Sequence, residues 1–232
     1  MKKRSWLFSI ALVGVFLLGG CFNKTLTFDE AKVRAQEIDT YWTKDDAKIP
    51  AKSTFVGKVK GNMLGVYATM DTTEKHDRDA KYLYNKSVTT AEGETFSSEM
   101  WIYYDDSADK TYFVYDDGDK DYFFDDGDTF EETMDFYGSA VESLHYQMGL
   151  SDIFAATHSE GEYKSKGEGH LYAKFKVVKE GIELEGEIDI QDYLIHKMFE
   201  KSDSLNYEYL VTATYKSFTL TKPNLSDYTL IS

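Results

Sequence analysis

A chain of 232 residues with a formal charge of −15 is too acidic for a nucleic-acid binder, whose affinity rests on neutralising phosphates. Its single cysteine excludes any intramolecular disulfide, so the fold must hold by packing alone. Aromatic residues reach 16%, with 18 Tyr and 15 Phe, and this bias towards strand-forming side chains points to extensive sheet.

Residues 1–21 read MKKRSWLFSIALVGVFLLGGC. Lys2, Lys3 and Arg4 form a positive start, and an almost wholly apolar run follows from Trp6 to Leu18. Leu18-Gly19-Gly20 then leads into Cys21. An ordinary secretory signal needs no cysteine at its cleavage site. A membrane-spanning helix needs roughly 20 apolar residues, and this run has about 13–16. The segment resembles the lipobox of bacterial lipoprotein signal peptides. That resemblance implies cleavage before Cys21, diacylation of its thiol, and an extracytoplasmic domain held to the cell membrane by its lipid anchor. Residues 1–20 carry three basic and no acidic residues, so the cleaved chain holds 23 basic and 41 acidic residues, a charge of −18. Such a domain has no electrostatic attraction to anionic lipid, which leaves anchoring to the acyl chains. The expected organisation is a signal peptide over 1–20, a lipidated cysteine and short tether over 21–27, and one domain over 28–232.

Thr27-Phe28-Asp29-Glu30 has the form of a capping box. Phe28, Ala31, Ala35, Ile38 and Trp42 follow at spacings of 3, 4, 3 and 4, one face of a helix. From Ser53 the period becomes two, with Phe55, Gly57 and Val59 on one side. Residues 63–70, 81–90 and 96–104 read as further strands. The last alternates Phe96, Ser98, Met100, Ile102 and Tyr104 against Glu99, Trp101 and Tyr103, so both its faces are expected to be covered. Residues 103–128 place aromatic clusters between Asp-rich turns, which predicts a meander of short antiparallel strands. An EF-hand loop does not fit there: Gly118 at position six puts Phe113 at position one, and Gly127 puts Tyr122 there.

Thr129 to Glu132 forms a second capping-box pattern, and Phe130, Met134, Tyr137, Val141, Leu144 and Met148 continue a helical stripe. Ser151 is expected to cap a short helix over 151–157. His170–Val178 and Gly181–Ile190 then predict a hairpin in which Val177 faces Leu184, Lys176 faces Glu185 and Lys174 faces Glu187. One side of that hairpin is apolar and the other a ladder of opposite charges. Residues 193–200 and 205–221 read as two or three more strands, the last ending at Pro223. The tail beyond it shows no pattern.

The chemistry-bearing motifs are missing. None of His76, His145, His158, His170 and His196 forms an HExxH pair. His158-Ser159-Glu160 has the H-x-E spacing of zinc deaminases without their cysteine pair. There is no nucleophile elbow, P-loop or dinucleotide-binding glycine motif. The residues therefore predict a protein that is not an enzyme, and they call for no cofactor and no metal.

The element order (helix, about six strands, helix, about five strands) predicts an α+β fold: a large curved antiparallel sheet with two main helices packed on one face. With the lipobox, the Tyr-rich strands and the Trp101-Ile102-Tyr103 pairing, this order resembles the LolA/LppX family of bacterial lipoproteins and lipoprotein carriers over roughly residues 28–222. The resemblance implies a half-barrel sheet closed by helices around an apolar cavity, and carries no binding residue over. The expected function is a carrier for a hydrophobic small molecule or lipid, with Trp101, Tyr103, Met134, Tyr137, Val141 and Leu144 lining its cavity. The alternative is a lipid-anchored interaction domain with a filled core and a protein partner.

Overall fold

The computed structural model describes residues 24–42, 50–63, 65–137, 150–156, 158–179 and 181–231. These form one 13-stranded open sheet, antiparallel except at its last strand. Strands β2 (Lys52–Met63), β3 (Val66–Asp77), β4 (Tyr82–Ala91), β5 (Glu94–Asp105), β6 (Lys110–Asp116) and β7 (Lys120–Asp126) make a first meander. Strands β8 (His158–Ser165), β9 (Leu171–Lys179), β10 (Ile182–Gln191), β11 (Leu194–Ser202) and β12 (Tyr207–Thr214) make a second. The two meanders join where β12 pairs antiparallel with β2. The edges are short: β1 (Lys24–Leu26) pairs with β8, and β13 (Thr229–Leu230) runs parallel to β7. Residues 24–26, expected in the tether, are thus the sheet's first strand.

Direct cross-strand partners share a face, so the register sorts the side chains into two sets. Leu26, Tyr163, Ala173, Ile188, Met198 and Val211 form one row across β1 and β8–β12. Ala213, Phe55, Glu74, Asn85, Met100 and Tyr115 continue that face across β12 and β2–β6. Helix α1 (Phe28–Trp42) lies on this face and buries Ala31, Ala35, Ile38 and Trp42, the stripe read from the sequence. Its capping box forms as expected: Thr27 N–H donates to Glu30 Oε2 at 2.8 Å, and Glu30 N–H donates to Thr27 Oγ1 at 3.2 Å. The Trp42 indole N–H donates to Tyr193 O at 2.9 Å and pins the helix's far end to the β10–β11 turn.

The expectation of two main helices needs correction. Among the described residues α1 is the one long helix. Helix α2 is described over Phe130–Tyr137, eight residues, and it seats Phe130 and Met134 on Leu83, Ile102 and Phe113. Its capping box is replaced: the Thr129 N–H donates to the buried Thr111 hydroxyl at 3.0 Å, and that hydroxyl donates to Gly127 O at 3.1 Å. Helix α3 (Leu150–Ile153) is not capped by Ser151. The Asp39 carboxylate of α1 accepts from Leu150 N–H at 3.0 Å and Ser151 N–H at 2.7 Å.

The second face differs between the two meanders. On β9–β11 it is the expected ladder of charges: Lys176 Nζ lies 3.2 Å from Glu185, and Glu187 pairs with Lys197 at 2.7 Å. Val177↔Leu184, Lys176↔Glu185 and Lys174↔Glu187 are the observed pairs of the hairpin. On β4–β7 the same face buries Tyr82, Trp101, Tyr103 and Val114 beneath Phe218, Leu220, Leu225 and Tyr228. Here the sequence reading is corrected again. Strand β12 ends at Thr214, not near Pro223. The chain beyond it is a strap that changes faces. Tyr215 still packs in the α1 cluster, whereas Phe218 lies over the tyrosines on the other side. Tyr82 Oη donates to Thr221 O at 3.0 Å, and Ile231 N–H donates to Tyr122 O at 2.9 Å, which ties the strap to β4 and β7.

Candidate functional site

Of the cavity-lining residues expected from the sequence, Met134 lies on one face of the sheet and Trp101 and Tyr103 on the other. Ile102 and Trp101 are neighbours on β5 and point to opposite faces. Ile102 meets Met134 on the helix-bearing face, and Trp101 and Tyr103 lie under the strap on the other. Met134 is buried in close packing with Leu83, Ile102, Phe113 and Phe130. Tyr137 is the last described residue of α2, and Cys21, Val141 and Leu144 lie outside the described residues.

An apolar hollow opens instead on the helix-bearing face of the second meander, at the border of the α1 cluster. Its volume is about 180 Å³. The floor comes from Phe175 and Val177 of β9, Leu184, Gly186 and Ile188 of β10, Met198 and Glu200 of β11, and Tyr209 of β12. Ile153 of α3 and the following Ala156 supply a wall. Sites for drug-sized molecules run to roughly 300–1,000 Å³, so this hollow suits one alkyl chain or one ring.

Local chemistry builds this hollow. The alternation of β10 puts Gly186 where a side chain would face the helices. A Cβ there would stand 2.4 Å from Phe175 Cζ, so the missing side chain lets the Phe175 ring lie against the β10 backbone. The opposite side of that ring stacks on His158, with centroids 4.4 Å apart and planes 12° apart. The imidazole Nε2 faces Ile153 O at 3.1 Å, which requires the proton on Nε2. Nδ1 then accepts from the Tyr163 hydroxyl at 2.7 Å. Burial pushes the His158 pKa down and keeps the ring neutral. His158 thus ties β8 to the end of α3 and braces Phe175. With Asp39 at the other end of α3, the wall of the hollow is fixed from both sides.

A second polar group is buried on the same face, nearer α2. His76 is 2% exposed, and its Nε2 has no hydrogen-bond partner among the described residues. Burial and the charge of Arg78 push its pKa down to about 4. Its ring centroid lies 6.2 Å from that of Phe130. Among the described residues no group of three or more His, Cys, Asp or Glu side chains is arranged to hold a metal ion. The first Asp-rich turn closes on itself: Asp105 accepts from the backbone and hydroxyl of Ser107 at 2.9 and 2.7 Å.

The hollow was not foreseen in the sequence, although its parts were. Phe175, Val177, Leu184 and Ile188 read as one apolar face of a hairpin, which any core strand would show. Gly186 in mid-strand was the available signal of close backbone approach. Among the described residues no helix is long and apolar enough to cross a membrane. No family model matches the chain, and no curated protein matches it in sequence.

Proposed function

We propose that this chain is an extracytoplasmic lipoprotein, anchored through acyl chains on Cys21, whose sheet holds the apolar part of a small ligand in the hollow beside α3. The ligand half of the proposal is carried by one observation: an open apolar hollow on a face where the described residues otherwise build the α1 and Leu83–Met134 clusters. The anchor half is carried by the Leu18–Cys21 motif. It gains support from the position of Lys24, the first residue of β1. Three residue steps span at most about 10 Å, so a lipidated Cys21 would hold the sheet close to the bilayer. The large open sheet with α1 on one face is in keeping with a half-barrel carrier, as in the LolA/LppX family. The role is binding rather than catalysis, since His76 and His158 are engaged in packing and bracing.

The ligand test uses residues 22–232, which contain every described element. Isothermal titration with dodecanol should give one site per chain. Leu184→Trp should abolish it without loss of thermal stability, because half-buried Leu184 borders the open space. A wild-type domain that binds no alkyl chain would reject the carrier reading in favour of an interaction domain with a filled core. The anchor test is fatty-acid labelling in cells: Cys21→Ser should lose the label and its membrane association, and label retained on that variant would sink the anchor half.

A further inference from the structure

Among the described residues two acidic side chains line the hollow, Glu185 and Glu200, and of the two Glu200 is the one whose strand position puts it on the helix-bearing face. On β11 it pairs across to Gly186 of β10 and Tyr209 of β12, and so shares their face. Its neighbours on that face are Ile188, Met198 and Val211. Three carboxylates on the opposite face of the sheet have cations. Glu185 lies 3.2 Å from Lys176, Glu187 lies 2.7 Å from Lys197, and Glu208 lies 2.8 Å from Lys60. Lys201, next to Glu200 in the chain, points to that opposite face and pairs with Asp203 at 2.8 Å. Glu200 makes no hydrogen bond or ion pair with any described residue. Its charge is felt within the site: after burial, it is a further cause that raises the pKa of both Tyr207 and Tyr209.

We infer that the hollow takes an apolar molecule bearing one positive charge, an amphiphilic amine, with Glu200 as the group that pairs with its ammonium. This rests on the reading of the hollow as a ligand site. The apolar floor takes the chain, and the carboxylate, with no lysine partner among the described residues, takes the head. A fatty-acid carboxylate would meet Glu200 as a like charge. Directly opposite Glu200 the Phe175 ring occupies the place of a Gly186 side chain and offers an apolar surface beside the carboxylate. Tyr209 on the other side offers a ring to the same cation. The strongly negative net charge also favours encounter with cations over anions.

The experiment is isothermal titration of residues 22–232 with dodecylamine, dodecanol and dodecanoate, each below its micelle concentration. Dodecylamine should bind at one site about tenfold more tightly than dodecanol, the size of one hydrogen bond to a charged group. Dodecanoate should bind most weakly. Glu200→Gln should bring dodecylamine to the dodecanol level and leave dodecanol unchanged. Equal binding of amine and alcohol would overturn the inference and leave the apolar site standing, as would an amine preference that survives Glu200→Gln. If none of the three binds, the ligand-site reading fails and this inference fails with it. The wild-type comparison stands by itself should the variant fold poorly.

Discussion

Two adjacent residues on β10 show how completely a one-residue step changes the surroundings. Ile188 is 2% exposed in the α1 cluster, while Glu187 faces solvent and pairs with Lys197. Ile188→Asp places a carboxylate among apolar side chains and should cost several kcal/mol, whereas Glu187→Gln should cost less than ~1 kcal/mol. Urea midpoints compare them, and equal shifts would contradict the face assignment. His76 adds a pH dependence. Its pKa falls from an ordinary 6.5 to about 4 in the fold. The unfolded chain therefore takes up a proton as pH drops below about 6.5, and the folded one does so only near 4. Stability should decline across that window by on the order of 3 kcal/mol and then level off for this group. His76→Leu should flatten that part of the pH–stability curve, measured by urea unfolding at pH 7, 5.5 and 4.

At the scale of elements, the two capping-box patterns have different fates, and stability should follow the geometry rather than the motif. Thr27 and Glu30 exchange both hydrogen bonds at the start of α1, so Thr27→Ala should cost about 1 kcal/mol. The Glu30 pKa is lowered to about 2, chiefly by its hydrogen bond to Lys24, then by the Thr27 N–H. A lowered carboxylate pKa favours the fold above the unfolded value, near 4.5, and the benefit fades as pH falls towards 2. The α1 cap therefore weakens in acid. Thr129 makes only a 3.5 Å contact from its hydroxyl to Asp125, while its backbone is held by Thr111. Thr129→Ala should therefore be nearly silent in thermal unfolding, and Thr111→Val, which orphans the Thr129 N–H, should be the damaging change. The reverse order would show that the sequence motif governs after all.

Across the whole molecule, the strap over 215–231 joins parts far apart in sequence. It covers Trp101, itself 9% exposed, and it adds the last strand beside β7. Ending the chain after Lys216 removes Phe218, Leu220, Leu225 and Tyr228 and bares Tyr82, Trp101, Tyr103 and Val114. At roughly 1.5–3 kcal/mol per fully buried large side chain, the loss should be several kcal/mol even for partial burial. In a Trp42→Phe background, Trp101 emission should shift to the red in the truncated domain. An unshifted spectrum at unchanged stability would mean that the strap contributes nothing to this face. The same truncation leaves the hollow beside α3 untouched, so dodecanol binding should survive wherever the domain remains folded.

What the chain determined by itself is what depends on neighbours within a few residues. The stripe of α1, its capping box, the alternation of β9 and β10, and their register all follow from period and from the pairing of Lys176 with Glu185, because these interactions close over short spans. The covering of both faces of β5 was legible for the same reason, since Trp101 and Ile102 are large side chains on alternate sides. The site was legible only in pieces. Which β5 face meets α2 and which meets the strap depends on the path of a tail with no periodicity, so Trp101 and Met134 read as neighbours and are separated by the sheet. Asp39 caps a helix 111 residues away, and His158 braces Phe175 across a strand pair; neither leaves a local trace. The hollow is lined by four strands and α3, and that convergence becomes visible only once the strands are laid side by side.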